Sequence, residues 1–422
     1  MASLFLDGNL SELKSELPRL ITNFVETSSE QNHLSEAFMR TILALDLQMA
    51  IDLEEFLQKQ NLQMSCLTLL IRVRCCANSE ERMRLALQSG RLELLDYLYY
   101  YCGCRLPSDG YETAILYNQT NSLVFTIRNT VFQSGDVKVC SFAARSSRFE
   151  CLALARSYGC LWKNESICEE AASSGNLDCL RYVHLLQGQL CAKTCIAAAL
   201  GGHTNCLEYI RDAATGRDLL VQCSAAVLRS AARNGHLDTI RFLHEQCGCQ
   251  SWSSHVAAAA AQGGHTECLE YAHQHGCPWG TATCLRAAEN NHFHCLAYAL
   301  QHACPFDFDA GEAAARRGYV DCLELLLQEE LCPDEAACRI AATHGHVVCM
   351  RMLQRFDHDH SIWSPEVAYE AAANGHVWCL HFAISNGCLI NFQRCLRSAQ
   401  QNQHWHCVRF IEQAELCPLW SG

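Results

Sequence analysis

The sequence predicts an all-α protein, an α-solenoid of stacked helix-turn-helix repeats joined by mostly short loops. Two observations carry this expectation: a motif that returns about every 28 residues, and helical spacing of apolar residues inside each copy. A third is the placement of the cysteines, which follow the repeat rather than the pair spacing of a disulfide or zinc module.

The motif opens with two small residues, followed by two variable ones, a Gly-His-like pair, two more, and Cys-Leu. Ala171-Ala172-Ser173-Ser174-Gly175-Asn176-Leu177-Asp178-Cys179-Leu180 is one copy, and Ala371-Ala372-Ala373-Asn374-Gly375-His376-Val377-Trp378-Cys379-Leu380 is another. The positions equivalent to the glycine are Gly90, Gln119, Ser147, Gly175, Gly202, Gly235, Gly264, Asn291, Gly318, Gly345, Gly375 and Gln403. They follow at steps of 29, 28, 28, 27, 33, 29, 27, 27, 27, 30 and 28 residues. Paired alanines before the anchor, such as Ala260-Ala261 and Ala314-Ala315, let a neighbouring helix approach closely. The anchor glycine supplies the backbone freedom that ends the first helix. A second helix follows, with apolar residues four, five and eight positions beyond, as in Thr239, Ile240 and Leu243. Asp178 with Arg181 and Asp238 with Arg241 have the spacing of solvent-facing ion pairs. Neither helix can bury its apolar face alone, so the units must stack.

Residues 1–65 differ in composition, with no cysteine and ten Asp or Glu against four Lys or Arg. Leu10, Leu13, Leu17 and Leu20, then Phe38, Ile42, Leu43, Leu45 and Met49, recur at helical spacing. This segment reads as an acidic helical cap or docking module, 66–84 as a transition helix, and 85–422 as about twelve units of 27–33 residues, degenerate at both ends.

The repeat resembles the ankyrin family, in which Ala-Ala-x-x-Gly-His precedes an apolar pair and a Gly-Ala turn follows twelve residues after the first glycine. Gly159-Cys160, Gly276-Cys277 and Gly387-Cys388 stand at that turn, with Ala303-Cys304 a looser match. The likeness spans roughly 82–420. It is greatest to the short, cysteine-rich ankyrin-like repeats of protists and large viruses that carry a Gly-Cys-Pro-Trp turn, here Gly276-Cys277-Pro278-Trp279. Two features depart from the family. The Thr-Pro-Leu-His entry is replaced by Thr283-Cys284-Leu285-Arg286 or Thr194-Cys195-Ile196-Ala197, and about five residues between Cys277 and the next helix are too few for a projecting hairpin. Short loops are therefore expected, with a longer excursion at Ala213-Ala214-Thr215-Gly216-Arg217-Asp218 in the 33-residue unit.

Charge and motifs narrow the function. A net charge of −13 without a Lys/Arg cluster argues against nucleic acid. The N-terminus lacks the pattern of a secretory signal, and no apolar run approaches a membrane span, so a cytoplasmic or nuclear location is expected, with reduced thiols. Cys151, Cys179, Cys206, Cys268, Cys295, Cys322, Cys349, Cys379 and Cys407 sit four past the anchor, and Cys140, Cys168, Cys195, Cys284 and Cys338 seven before it, where a buried small side chain is expected. Cys75-Cys76, Cys102-Gly103-Cys104 and Cys247-Gly248-Cys249 fall off this pattern and lack zinc spacing; His292-Phe293-His294-Cys295 and His404-Trp405-His406-Cys407 follow the Gly-His position. Asp357-His358-Asp359-His360 reads as an inserted, solvated loop. No metal or cofactor is expected, and no phosphate loop, nucleophile elbow or His-Glu-x-x-His motif points to an enzyme.

The resemblance implies a monomeric array that binds a protein partner along first-helix side chains. The candidates are Arg145, Arg233, Asn234, Gln262, Glu289, Asn290, Arg316, Arg317, Thr343, His344 and Asn374. Alternatives are a substrate adaptor of a ubiquitin-ligase complex, recruiting through residues 1–65, and a thiol redox sensor.

Overall fold

The computed structural model of the chain describes residues 78–130, 138–162, 166–213, 224–329, 334–357 and 362–415. The 1–65 segment, most of 66–84, Cys75-Cys76, the excursion after Ala213 and His358-Asp359-His360 lie outside the described residues. The described residues are mostly helical, with no strand among them, and the chain divides into two compact units, 1–189 and 190–422.

In the first unit the helices are α1 (Ser79–Ser89), α2 (Leu92–Asp96), α3 (Gly110–Leu116), α4 (Thr120–Asn129), α5 (Lys138–Arg145), α6 (Phe149–Ser157), α7 (Ile167–Ser173) and α8 (Leu177–Leu185). The second unit continues with α9 (Ala192–Leu200), α10 (Thr204–Asp212), α11 (Ser224–Arg233), α12 (Leu237–Arg241), α13 (Ser254–Gly263), α14 (Thr266–Gln274), α15 (Thr281–Glu289) and α16 (Phe293–Gln301). It closes with α17 (Phe308–Arg317), α18 (Val320–Gln328), α19 (Glu335–Thr343), α20 (Val347–Phe356), α21 (Pro365–Ala373), α22 (Val377–Ser385), α23 (Phe392–Gln401) and α24 (Trp405–Glu415). Odd helices open a repeat and even helices close it. Because α1 begins at Ser79, the first repeat starts before residue 85.

Within each unit an odd helix packs on the next odd helix and an even helix on the next even one, so each repeat touches only its neighbours. In the 190–422 unit the odd helices pack on one another more extensively than the even ones, with their paired alanines buried. Ala143-Ala144 and Ala171-Ala172 in the first unit, and Ala260-Ala261, Ala287-Ala288, Ala314-Ala315 and Ala341-Ala342 in the second, are fully buried. Even helices bury the Cys-Leu pair, as at Cys268-Leu269 and Cys322-Leu323. Each buried leucine contributes about 2 kcal/mol.

The turn between the two helices is the same nearly everywhere. At Gly264, φ is +76°, its N–H donates to Ala261 O at 3.3 Å, and His265 N–H donates to Ala260 O at 3.0 Å. These two bonds satisfy carbonyls that the helix end would leave open. Ser147, Asn291 and Gln403 take the same left-handed conformation without being glycine. In the second repeat the left-handed residue is Asn118 (φ +54°), one position before the expected anchor Gln119, which is extended.

A second left-handed turn ends the even helices. Cys277 N–H donates to Ala272 O at 2.9 Å, and Cys304 and Cys388 repeat the bond to Ala299 and Ala383. The cysteine thiol then reaches the start of its own repeat: Cys277 Sγ donates to Ser253 O at 3.3 Å and Cys388 Sγ to Ser364 O at 3.0 Å. Cys102-Gly103-Cys104 and Cys247-Gly248-Cys249 prove to be this same turn, displaced by one residue. After α2 and α12 the chain forms a π turn, Tyr97–Tyr101 and Phe242–Gln246, which takes in the extra residue. Cys104 and Cys249 consequently bond six residues back, to Leu98 O and Leu243 O.

The loops are short, as expected, with six residues between α14 and α15 and six between α16 and α17. The Gly-Cys-Pro-Trp turn packs onto the next repeat: Trp279 stacks on His273 at 3.8 Å and meets Tyr298 edge-on at 6.1 Å. Trp252 against Tyr271 and Trp363 against Phe382 are equivalent pairs. Arg241 sits over the Tyr271 ring at 5.6 Å rather than serving an ion pair on its own helix.

Two outcomes follow for urea unfolding. Gly264→Ala should lower stability by about 2 kcal/mol, because a Cβ there is left-handed and meets the His292 ring, whereas Gln403→Gly should raise it by about 1 kcal/mol. Deleting Gln246 should leave the midpoint nearly unchanged by turning the π turn back into α-helix, while deleting Gln274 should cost on the order of 3 kcal/mol. Equal loss from both deletions would refute the account of the π turn.

Candidate functional site

The candidate residues lie on the last turn of an odd helix or on the residue directly after it, just before the left-handed anchor. That turn has a second duty in the 190–422 unit. The carbonyls of Leu200, Gln262, Arg316 and Thr343 accept the Nε2 proton of His236, His292, His346 and His376 from the following repeat, at 2.9 to 3.1 Å. Arg233 O does the same for His265. What the turn offers a partner is therefore its side chains, the backbone being committed to stacking.

Several of those side chains are committed as well. Arg145 pairs with Glu170 of α7 through Nε and Nη2, each at 2.6 Å, an exposed ion pair that contributes no more than about 1 kcal/mol. Asn234 Nδ2 donates to Leu200 O at 3.1 Å, fastening α11 to α9. Asn290 and Asn374 donate to carbonyls one turn back, Arg286 O and Glu370 O, each at 2.9 Å; Thr343 Oγ1 and His344 Nδ1 donate likewise to Arg339 O and Ile340 O. Glu289 pairs with Arg286 on its own helix at 2.7 Å, and Gln262 is half-buried. Arg233, Arg316 and Arg317 stand exposed at the helix ends. These three are the candidates best placed to meet another molecule.

Sequence reasoning missed a second set, on the even helices. Trp378 is 75% exposed, Trp405 59% and Val348 50%, all within the first turn of α22, α24 and α20. The signal was present in the repeat, since the position three past the anchor is acidic at Asp178, Asp238, Glu267 and Asp321 but becomes Val348 and Trp378. Between the outer faces of α16 and α18 lies an open groove of about 340 Å³, lined by Phe293, Asp321, Glu324, Leu325 and Gln328.

The cysteines that follow the repeat are buried, and burial sets their chemistry. It pushes the thiols of Cys140, Cys268 and Cys379 up to about 12, and those of Cys151, Cys206, Cys277, Cys322, Cys349, Cys388, Cys395 and Cys407 to about 11. Such groups stay thiols at neutral pH and are poor nucleophiles. Cys102 is exposed. Among the described residues no three His, Cys, Asp or Glu side chains converge as a metal ion would require. Asp357, first of the Asp-His-Asp-His run, is buried and accepts from Ile362 N–H at 3.4 Å, so it closes the loop rather than facing water. No helix among the described residues is long and apolar enough to cross a membrane. No model of a known protein family matches the chain, and no curated protein matches it either.

Thiol accessibility gives a direct check. In the native protein at neutral pH, a mild alkylating reagent followed by peptide mapping should modify Cys102 well before Cys140, Cys268 or Cys379, by about tenfold or more in rate.

Proposed function

We propose that the chain is a non-enzymatic scaffold of the ankyrin-like kind, which binds a partner protein along its repeats. One contrast carries this reading. Buried positions are nearly constant from repeat to repeat, while the two residues after the alanine pair change each time: Arg233-Asn234, Gln262-Gly263, Glu289-Asn290, Arg316-Arg317, Thr343-His344 and Ala373-Asn374. A constant core with varied, regularly spaced side chains presents an extended row to a partner while leaving the stack intact. The Gly-His pair, the paired alanines and the twelve-residue step to a second glycine-type turn support the ankyrin-like assignment.

The exposed arginines at the odd-helix ends support contacts there, since guanidinium groups suit carboxylates on a partner. An intracellular setting fits thiols that remain reduced and buried. Burial and raised thiol pKa values weigh against the redox-sensor reading. The ligase-adaptor reading needs recruitment through residues 1–65.

Crosslinking mass spectrometry in cells, followed by capture with a charge-reversed full-length variant, tests the proposal. Arg233→Glu, Arg316→Glu and Arg317→Glu together should reduce capture of the crosslinked partner by about tenfold or more with an unchanged melting temperature. Unchanged capture, with all crosslinks confined to residues 1–65, would instead support recruitment by that segment.

A further inference from the structure

Seven histidines in the 190–422 unit directly follow the left-handed anchor of their repeat. His203, His236, His265 and His292 follow one another in successive repeats, as do His346, His376 and His404. From His236 onward each ring lies on the anchor glycine of the repeat before it, Gly202, Gly235, Gly264, Gly318, Gly345 and Gly375 in that order. A Cβ built on Gly375 would meet Nδ1, Cγ and Cε1 of His404 at 2.6, 2.8 and 3.0 Å, three ring atoms at once. The imidazole therefore presents its face, and only glycine leaves room for it.

The chain itself shows the coupling between glycine and ring. Where the anchor carries a side chain, the next repeat has no histidine: Asn291 is followed by Tyr319, Ser147 by Asn176, and Asn118 by Arg148. Asn291 and Tyr319 thus divide the seven into a run of four and a run of three. His265 and His376 are middle rings of these runs, each with an imidazole from the repeat before and from the repeat after. The groups acting on His265 are His236 and the Arg233 carbonyl from the repeat before, and His292 from the repeat after. Those acting on His376 are the Thr343 carbonyl, His344 and His346 before it, and His404 after it. None is a carboxylate.

We propose that the two histidine runs make the coupling between repeats in residues 190–422 pH-dependent, neutral rings holding the stack together and proton uptake loosening it from His265 and His376 outward. A proton on a middle ring puts a cation into a half-buried seam between two groups that can also charge. Burial first, then the neighbouring histidines, hold His265 and His376 below the ordinary imidazole range. The unfolded chain consequently takes up these protons first as the pH falls. The stability that the neutral rings contribute is complete above the ordinary imidazole pKa and is lost as the pH drops through the window beneath it.

Hydrogen exchange of the full chain, compared between about pH 7.5 and 5.5 after correction for intrinsic rates, reads this directly. Opening of α11–α16 and α19–α24 should increase by about tenfold per pH unit for each proton taken up on opening. Helices α1–α8 have Gln119, Arg148 and Asn176 at the corresponding positions and form the internal control. His265→Asn with His376→Asn should flatten the response, asparagine being the residue that Asn176 already supplies there. If that variant does not fold, NMR titration of the wild-type imidazoles decides: His265 and His376 should titrate below the ordinary imidazole range. Equal pH responses in the two units, or ordinary titration of both middle histidines, would overturn the proposal.

Discussion

The left-handed residue at the end of each odd helix is the constraint on which the rest depends. It turns the chain back so that the even helix can cover the odd one, and its two hydrogen bonds close the helix end. At Gly202, Gly235, Gly264, Gly318, Gly345 and Gly375 its bare Cα is also the surface on which the next repeat rests a ring. Fold within a repeat and contact between repeats therefore meet at one atom. Non-glycine anchors keep the first role and change the second: Asn118 and Asn291 offer Oδ1 to the thiols of Cys151 and Cys322 instead.

Two seams with different chemistry result. Between odd helices, fully buried alanines line the seam, with polar links such as Asn234 to Leu200 O at its edge. Between even helices the contacts use larger groups, Cys-Leu pairs inside and Trp against Tyr or Phe toward the loops. Cysteine suits this architecture because it is small enough for the inner seam and still supplies a weak donor where a turn carbonyl is exposed, as Cys277 does for Ser253.

Much of this was legible in the sequence, because helix ends, alanine pairs and buried cysteines are set by local rules and a period. The helices, the pairing and the packing role of the cysteines followed from residues such as Ala260, Gly264 and Cys268. Three features were not legible. The π turns were hidden because an inserted residue looks like broken spacing, so Cys247-Gly248-Cys249 seemed unrelated to Gly276-Cys277. The shift from Gln119 to Asn118 was hidden because both are polar residues in a degenerate repeat. The candidate surface was read as a row of equal residues, yet Asn290, Thr343 and Asn374 are tied to their own helices, and only three-dimensional neighbours reveal that.

The π turns carry a consequence for how such a chain can change over time. A residue gained inside α2 or α12 is swallowed within a single turn, and every interface downstream keeps its register. Length variation of this kind is quarantined in the repeat where it arose. An ancestral copy could drift by one codon without forcing compensating changes in its neighbours, so the spacing of the motif is a looser record of kinship between repeats than the geometry of their turns.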